Sequence, residues 1–128
     1  MAESKKILVV EDDQDILELY EYIYSYEGYE VMGSATGIDL SALIDTFRPG
    51  LVILDVDLGE LNGAELCRAI KTDPATSQIV VFLVSANLHS AQLKYHSGAD
   101  GLIAKPFDLD DLLKRTTAVF SGSSASNG

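Results

Sequence analysis

The chain has 128 residues, 47% of them hydrophobic and 23% charged, which is the composition of one globular domain with a buried core. Its only cysteine, Cys67, excludes an internal disulfide and suits a core position in a protein of the reducing cytoplasm. Acidic residues outnumber basic ones 20 to 9, for a formal net charge of −11, and no apolar run approaches the ~20 residues of a membrane span. This balance argues against direct binding to nucleic acid and against binding to a membrane.

Five short runs with the character of strands alternate with five stretches in which apolar residues recur at helical spacing. The runs are 7–10, 29–34, 51–54, 79–84 and 101–104, and the helical stripes are 16–23, 40–47, 63–70, 88–95 and 109–120. Four of the runs are apolar, whereas 29–34 alternates as suits a more exposed edge strand. The alternation predicts an α/β fold: one flavodoxin-like (βα)5 domain with a doubly wound parallel sheet in strand order 2-1-3-4-5. We expect the domain to span residues 1–120, and the small polar residues 121–128 to form a flexible tail.

The third run leads directly from Leu51–Leu54 into Asp55. A strand this apolar is typically buried on both faces, and Asp55 then stands at its carboxyl end, where open α/β sheets place their ligands. A carboxylate at this position can be a metal ligand, a nucleophile or a helix cap.

In the predicted strand order the first and third strands are neighbours, so the acidic residues that follow them should converge. These residues are Glu11, Asp12, Asp13, Asp55 and Asp57. Carboxylates packed this closely either take up protons or hold a cation, and ligands that are all oxygen favour Mg²⁺ or Mn²⁺.

Two further polar residues end strands at the same edge of the sheet. Ser85 closes the fourth predicted strand and Lys105 the fifth. Together with a cation and a carboxylate they supply the groups needed to accept a phosphoryl group. Asp55 would attack in line, the ion and Lys105 would neutralise the phosphoryl oxygens, and Ser85 would hydrogen-bond one of them.

Four motifs together resemble the receiver domain of the two-component response-regulator family, over residues 5 to about 120. They are Val10-Glu11-Asp12, Leu54-Asp55, Val84-Ser85-Ala86 and Lys105-Pro106-Phe107. The resemblance implies that Asp55 is the phosphoacceptor, Ser85 the switch hydroxyl and Lys105 the phosphate-facing lysine. It further implies that Mg²⁺ is bound by Asp12, Asp55 and the backbone carbonyl of Asp57, with Glu11 acting through a metal-bound water.

The resemblance also implies a cis bond between Lys105 and Pro106. Asp13 lies one position past the acidic pair of the family, so we expect it to start the first helix rather than bind the ion. His89 and His96 are expected on the surface.

As a member of this family the chain would be a phosphorelay regulator of a two-component system rather than an enzyme. A sensor histidine kinase or a histidine phosphotransfer protein would donate the phosphoryl group. The surface around the fourth helix, the fifth strand and the fifth helix would then change and control a downstream protein partner or output domain. The setting would be cytoplasmic, and the resemblance is compatible with a homodimer.

Two residues depart from the family pattern, and a third lies at a position that commonly varies in the family. Gly59 stands where proline is usual, which predicts a more flexible loop. Leu102 replaces the usual aromatic residue of the fifth strand, so any coupling to Ser85 would be by packing alone. Asp57 is acidic at a position that commonly varies, and we hypothesise that it alters the lifetime of the phosphoryl group.

Two other functions fit parts of the pattern. Leu54–Asp57 also resembles the first motif of haloacid-dehalogenase-type phosphatases, with Asp55 as nucleophile and Asp57 as general acid. That motif normally lies on the first strand, however, and the chain has no room for a substrate cap. Flavin binding would need a glycine- and hydroxyl-rich phosphate loop after the first strand, where Glu11–Asp13 would repel a phosphate.

Overall fold

A five-stranded parallel sheet with helices on both faces forms the part of the chain that the computed structural model describes, residues 5–86 and 96–121. Its strands are β1 (Lys6–Val10), β2 (Glu30–Ser34), β3 (Leu51–Asp55), β4 (Val80–Ser85) and β5 (Gly101–Ala104). They lie in the order β2-β1-β3-β4-β5 and every neighbouring pair is parallel. The predicted flavodoxin-like fold and its strand order are therefore confirmed.

Within the described residues, four helices of more than one turn pack on this sheet. They are α1 (Gln14–Tyr26), α2 (Leu40–Phe47), α3 (Gly63–Thr72) and α4 (Leu109–Ser121). The helix predicted between β4 and β5 lies outside the described residues except at its end, where His96 and Ser97 are helical. Residues 122–128 of the predicted tail also lie outside them.

The three inner strands, β1, β3 and β4, bury both of their faces because successive side chains point into two different cores. On one face α1 and α4 cover Ile7, Val9, Leu51, Ile53, Phe82 and Val84. On the other face α2 and α3 cover Leu8, Val10, Val52, Leu54, Val81 and Leu83. Every residue of β3 from Leu51 to Asp55 is buried, so the run that ends in Asp55 is the centre of the sheet in burial as well as in order.

After β3 the chain forms a small hairpin that the apolar pattern did not predict. Asp57–Leu58 pairs antiparallel with Leu61–Asn62, and Gly59 lies in the turn with a φ of 63°. Proline is locked near −65° and could not adopt this conformation. The hairpin thus accounts for glycine at the position where proline is usual, while the flexibility of this loop stays a prediction.

Several local expectations can be compared with the structure. Cys67 is buried in the core, as predicted, and burial raises the pKa of its thiol to about 11. His96 is exposed, whereas His89 falls outside the described residues. Within those residues, no helix combines the length and the apolar character that crossing a membrane requires.

Candidate functional site

Three carboxylates meet where β1 and β3 end. Glu11 and Asp12 directly follow β1, and Asp55 is the last residue of β3. Each offers a ligand atom that lies within 4.8 Å of the others. Glu11 and Asp55 are each 1% exposed, whereas Asp12 is exposed, so the cluster is a buried pair with one face open to solvent.

Two donors hold the Asp55 carboxylate in place. Its Oδ1 accepts a hydrogen bond from the backbone N–H of Asp57 at 3.0 Å, and its Oδ2 accepts one from Lys105 Nζ at 2.6 Å. Because both oxygens are engaged from different directions, the carboxylate has a fixed orientation at the strand end.

Lys105 brings the one ammonium group of the site. It follows β5 directly, its peptide bond to Pro106 is cis as predicted, and its Nζ lies 3.7 Å from Glu11 Oε1. Burial lowers the pKa of Lys105, but the hydrogen bond and charge of Asp55, with the charges of Glu11 and Asp12, leave that pKa above its usual value. The lysine therefore remains charged next to the carboxylates.

The pKa of Glu11 is raised by its burial among the other carboxylates. Burial, helped by the negative charge of Asp55, raises the pKa of Glu11 from 4.5 to about 7, although its hydrogen bond from Asp13 N at 3.1 Å acts in the opposite direction. A cation would offset this repulsion as the proton does. The donor set is oxygen only and partly open to water, which fits Mg²⁺ or Mn²⁺.

Ser85 ends β4 at the same edge of the sheet. Its neighbour Val84 is paired with Asp55, and its own carbonyl accepts a hydrogen bond from Lys105 N at 3.0 Å. The residue is 5% exposed. The backbone thus places the predicted hydroxyl between the strands that carry Asp55 and Lys105.

The strand order also predicted that Asp13 and Asp57 come to this edge, but the structure uses them differently. The Asp13 side chain accepts from Asp15 N and Ile16 N at 3.0 and 3.2 Å and caps α1, which confirms its expected role as the start of that helix. The Asp57 side chain is exposed in the hairpin. Its backbone N–H, rather than its carboxylate, is what contacts Asp55.

Gly63 is a residue of the site that the sequence reasoning did not single out. It begins α3, and a Cβ at this position would overlap the backbone carbonyl oxygen of Asp55 and lie 2.9 Å from Val56 Cα. Its N–H donates to Val56 O at 2.8 Å. The Asn62-Gly63 pair is a turn signal in the sequence, but the contact with Asp55 follows only from the path of the hairpin.

Comparison with known proteins gives consistent matches. A model of the response regulator receiver domain family matches residues 7–117. RpaA of Synechocystis sp., named as a DNA-binding dual master transcriptional regulator, is 33% identical over 117 residues, 89% of this chain and 48% of RpaA. The response regulator MprA of Mycobacterium sp. (strain KMS) is 32% identical over 123 residues, 96% of this chain and 54% of MprA. The crystal structure of a CheY-like receiver domain protein from Methanospirillum hungatei has a TM-score of 0.83 at 30% identity, covering 93% of this chain and 95% of that one.

One expectation about partners has to be corrected. The acidic charge led to the prediction that direct nucleic-acid binding is excluded, yet RpaA is a DNA-binding regulator. The chain spans about half the length of the curated relatives it matches. Net charge describes only the residues counted, so the charge of a receiver half carries no information about DNA binding by a protein that contains it. The prediction is therefore wrong.

The phosphatase alternative is not supported by these comparisons. Asp55 ends β3, the middle strand of the sheet, and not the first strand. The carboxylates, Ser85 and Lys105 lie at the ends of β1, β3, β4 and β5, and the family match spans all of these strands. The chain belongs to the response regulator receiver domains, the phosphoacceptor switches of two-component signalling.

Proposed function

We propose that Asp55 is the residue that accepts the phosphoryl group, from a phosphohistidine of a sensor histidine kinase or of a histidine phosphotransfer protein. The observation that carries this assignment is the pairing of a buried carboxylate at the end of the central strand with Lys105 Nζ at 2.6 Å. The test is labelling with acetyl phosphate in the presence of Mg²⁺. One phosphoryl group per chain is expected, on the peptide that contains Asp55.

The phosphoryl transfer is a single displacement at phosphorus. An Asp55 oxygen forms a bond to phosphorus, the bond between phosphorus and the histidine nitrogen breaks, and the imidazole keeps the electron pair and takes up a proton. Lys105 Nζ lies beside the Asp55 carboxylate and would neutralise an oxygen of the transferred group. Ser85 would hydrogen-bond another oxygen.

The divalent cation would be held directly by Asp12, Asp55 and the backbone carbonyl of Asp57. Glu11 would act on it through a bound water. A bound Mg²⁺ supplies positive charge that stabilises the phosphoryl oxygens. The chain itself then undergoes phosphorylation and dephosphorylation and turns over no other substrate. The free, buried Cys67 thiol suits the cytoplasm, where we propose that the protein acts.

The response to phosphorylation is proposed to pass to β5 and to α4, the helix predicted from the stripe at 109–120. Lys105 directly follows β5, and Arg115 of α4 donates a hydrogen bond to Leu102 O of β5 at 2.7 Å. A phosphoryl group adds about two negative charges next to Lys105, so a shift of that lysine would be passed to both elements. The surface that they form would control a downstream partner or an output domain.

We place the extent of the receiver domain at residues 1–120.

The stability of the protein should depend on pH through Glu11. Its pKa is about 7 in the folded chain against an ordinary value of 4.5, so between these values the folded chain binds more protons than the unfolded one. The free energy of unfolding contributed by this group is then present below about pH 4.5 and is lost as the pH rises to about 7, by up to about 3 kcal/mol. In EDTA, thermal unfolding is expected at lower temperature at pH 8 than at pH 5.

Mg²⁺ separates this effect from general charge repulsion. Because the cation replaces the proton, it should restore stability at pH 8 and have little effect at pH 5. Glu11→Gln is the matched control, since the amide cannot titrate and should remove most of the pH dependence in this range. The same pH dependence in Glu11→Gln and in the unsubstituted chain would contradict the assignment.

Asp57 is proposed to shorten the lifetime of the phosphoryl group. Its backbone is tied to Asp55, while its carboxylate is exposed and able to take a proton from an attacking water. Asp57→Asn keeps the shape and the backbone contact, and we expect dephosphorylation to slow several-fold. The decay of the labelled chain, followed by intact mass, measures this rate, and an unchanged rate would reject the hypothesis.

A further inference from the structure

The hydroxyl of Tyr20 is buried without a hydrogen-bond partner. Tyr20 lies on the inner face of α1 and is 1% exposed. Within the two described stretches of chain, it carries the one buried side-chain polar atom that has no partner. Buried hydroxyl groups are nearly always paired, because an unpaired one loses the hydrogen bonds that water would make. Its presence calls for a partner that appears in another state of the protein.

Tyr24, one turn further along α1, gives a direct comparison. It is also buried, but its hydroxyl is hydrogen-bonded to Thr116 Oγ1 at 2.8 Å. The two rings are stacked on each other with centroids 6.4 Å apart, and they differ in whether the hydroxyl is paired. Packing does not explain the hydroxyl of Tyr20, since phenylalanine would fill the same space.

The geometry of α1 directs the Tyr20 side chain towards the end of the helix that adjoins the acidic cluster. Side chains on a helix lean towards its N-terminus, and α1 begins at Gln14, three residues after Glu11. The Tyr20 ring also stacks on Phe107 with centroids 5.1 Å apart. Phe107 follows the cis Lys105-Pro106 bond, so the Tyr20 ring packs against the segment that carries Lys105.

The electrostatics agree with this position. Burial raises the pKa of Tyr20 above its usual value, and after burial the negative charge of Glu11 has the largest effect, ahead of Tyr24 and then Asp55. Such an effect requires a nearby carboxylate. Glu11 has room for another donor, because its Oε2 accepts from Asp13 N and its Oε1 lies as far as 3.7 Å from Lys105 Nζ.

We propose that Tyr20 is a positioning residue for the cation site: with Mg²⁺ bound, its hydroxyl donates a hydrogen bond to the Glu11 carboxylate, directly or through one water. The bond orients the carboxylate towards the ion, as partners of metal-binding carboxylates do elsewhere. The inference rests on the proposed function, since it requires the cation site described above.

Two phenylalanine variants test this inference. Tyr20→Phe removes the unpaired hydroxyl, and Tyr24→Phe, the matched control, removes the paired one a turn away. In EDTA we expect Tyr20→Phe to unfold at the same temperature as the unsubstituted chain or higher, and Tyr24→Phe to unfold lower. In Mg²⁺ titrations by calorimetry, Tyr20→Phe should bind about tenfold more weakly and Tyr24→Phe should bind normally. A purely structural role would change the unfolding temperature and not the affinity for the ion.

The outcomes separate the inference from the function on which it rests. Equal Mg²⁺ affinity in Tyr20→Phe and in the unsubstituted chain would overturn the inference alone. No Mg²⁺ binding by the unsubstituted chain would remove the cation site and the inference together. A Tyr20→Phe chain that fails to fold would also overturn it, because the hydroxyl would then support the fold without the ion.

A double variant identifies the partner of the hydroxyl. If Tyr20 acts through Glu11, adding Tyr20→Phe to Glu11→Gln should weaken Mg²⁺ binding much less than tenfold, since the carboxylate acceptor is already gone. A full further tenfold loss in the double variant would show that the hydroxyl acts on another group.

Discussion

Asp55→Asn is expected to accept no phosphoryl group from acetyl phosphate in the presence of Mg²⁺. The amide cannot attack phosphorus as a carboxylate does, and it removes one of the three carboxylates that meet at the site. The fold should survive, because the amide keeps the shape of the side chain and its carbonyl oxygen can still accept from Asp57 N. Intact-mass spectrometry measures the result: one phosphoryl increment for the unsubstituted chain and none for the variant.

Asp57→Asn is the matched control for this experiment. It removes an exposed carboxylate two residues away. Because we expect Asp57→Asn to lose the phosphoryl group more slowly, its labelling should reach at least the same extent as in the unsubstituted chain. A mass increment that survives in Asp55→Asn, on any peptide, would show that another residue is the acceptor. Loss of labelling in both variants would point to acidity of the loop in general rather than to Asp55 as the nucleophile.

Gly63→Ala is expected to lower stability and to impair phosphorylation together. The added Cβ would overlap the Asp55 carbonyl oxygen and crowd the Val56 backbone, and backbone atoms cannot rotate away as a side chain does. We expect a loss of about 3 kcal/mol or more, which lowers the unfolding midpoint of a domain of this size by on the order of 10 °C. The same displacement moves the Asp55 carboxylate relative to Lys105, so labelling should be slower.

Gly28→Ala provides a comparison for the added methyl group. Gly28 has a φ of 93°, and a Cβ there would meet no atom within 4 Å, so its cost is the backbone conformation alone, about 1–2 kcal/mol. It lies between α1 and β2, away from the acidic cluster, and labelling should be unchanged. If Gly63→Ala were as stable as Gly28→Ala and labelled normally, the close approach to Asp55 would not matter.

The sequence was informative wherever a pattern is local. Apolar runs predicted four of the strands, most clearly those buried on both faces, which must be apolar along their length, as Leu51–Leu54 is. The alternation over residues 29–34 predicted β2 as a more exposed edge strand, which is confirmed. Parallel pairing and right-handed crossovers then limited the order of the strands. The hairpin after β3 escaped prediction since its strands have only two residues each, too few for a periodic signal.

Net charge was a poor guide to the binding partners of the whole protein. A count of acidic and basic residues describes the residues counted, and it misled when it was extended to the partners of the whole protein. A count of acidic residues also could not predict which of the neighbouring acids would join the cluster. Glu11 and Asp12 join the cluster while Asp13 caps α1, because the chain turns into the helix at that residue.

By itself the sequence determined the fold and which residue types reach the carboxyl edge of the sheet, because these depend on the apolar pattern and on strand order. Only the tertiary structure decided the distances on which the chemistry depends. Lys105 and Asp55 are 50 residues apart in the chain and 2.6 Å apart in space. The raised pKa of Glu11, the contact of Gly63 with Asp55 and the unpaired hydroxyl of Tyr20 all arise where separate segments meet. Burial and electrostatic interactions at these residues depend on several segments that are distant in the sequence, so no local stretch of sequence can predict them.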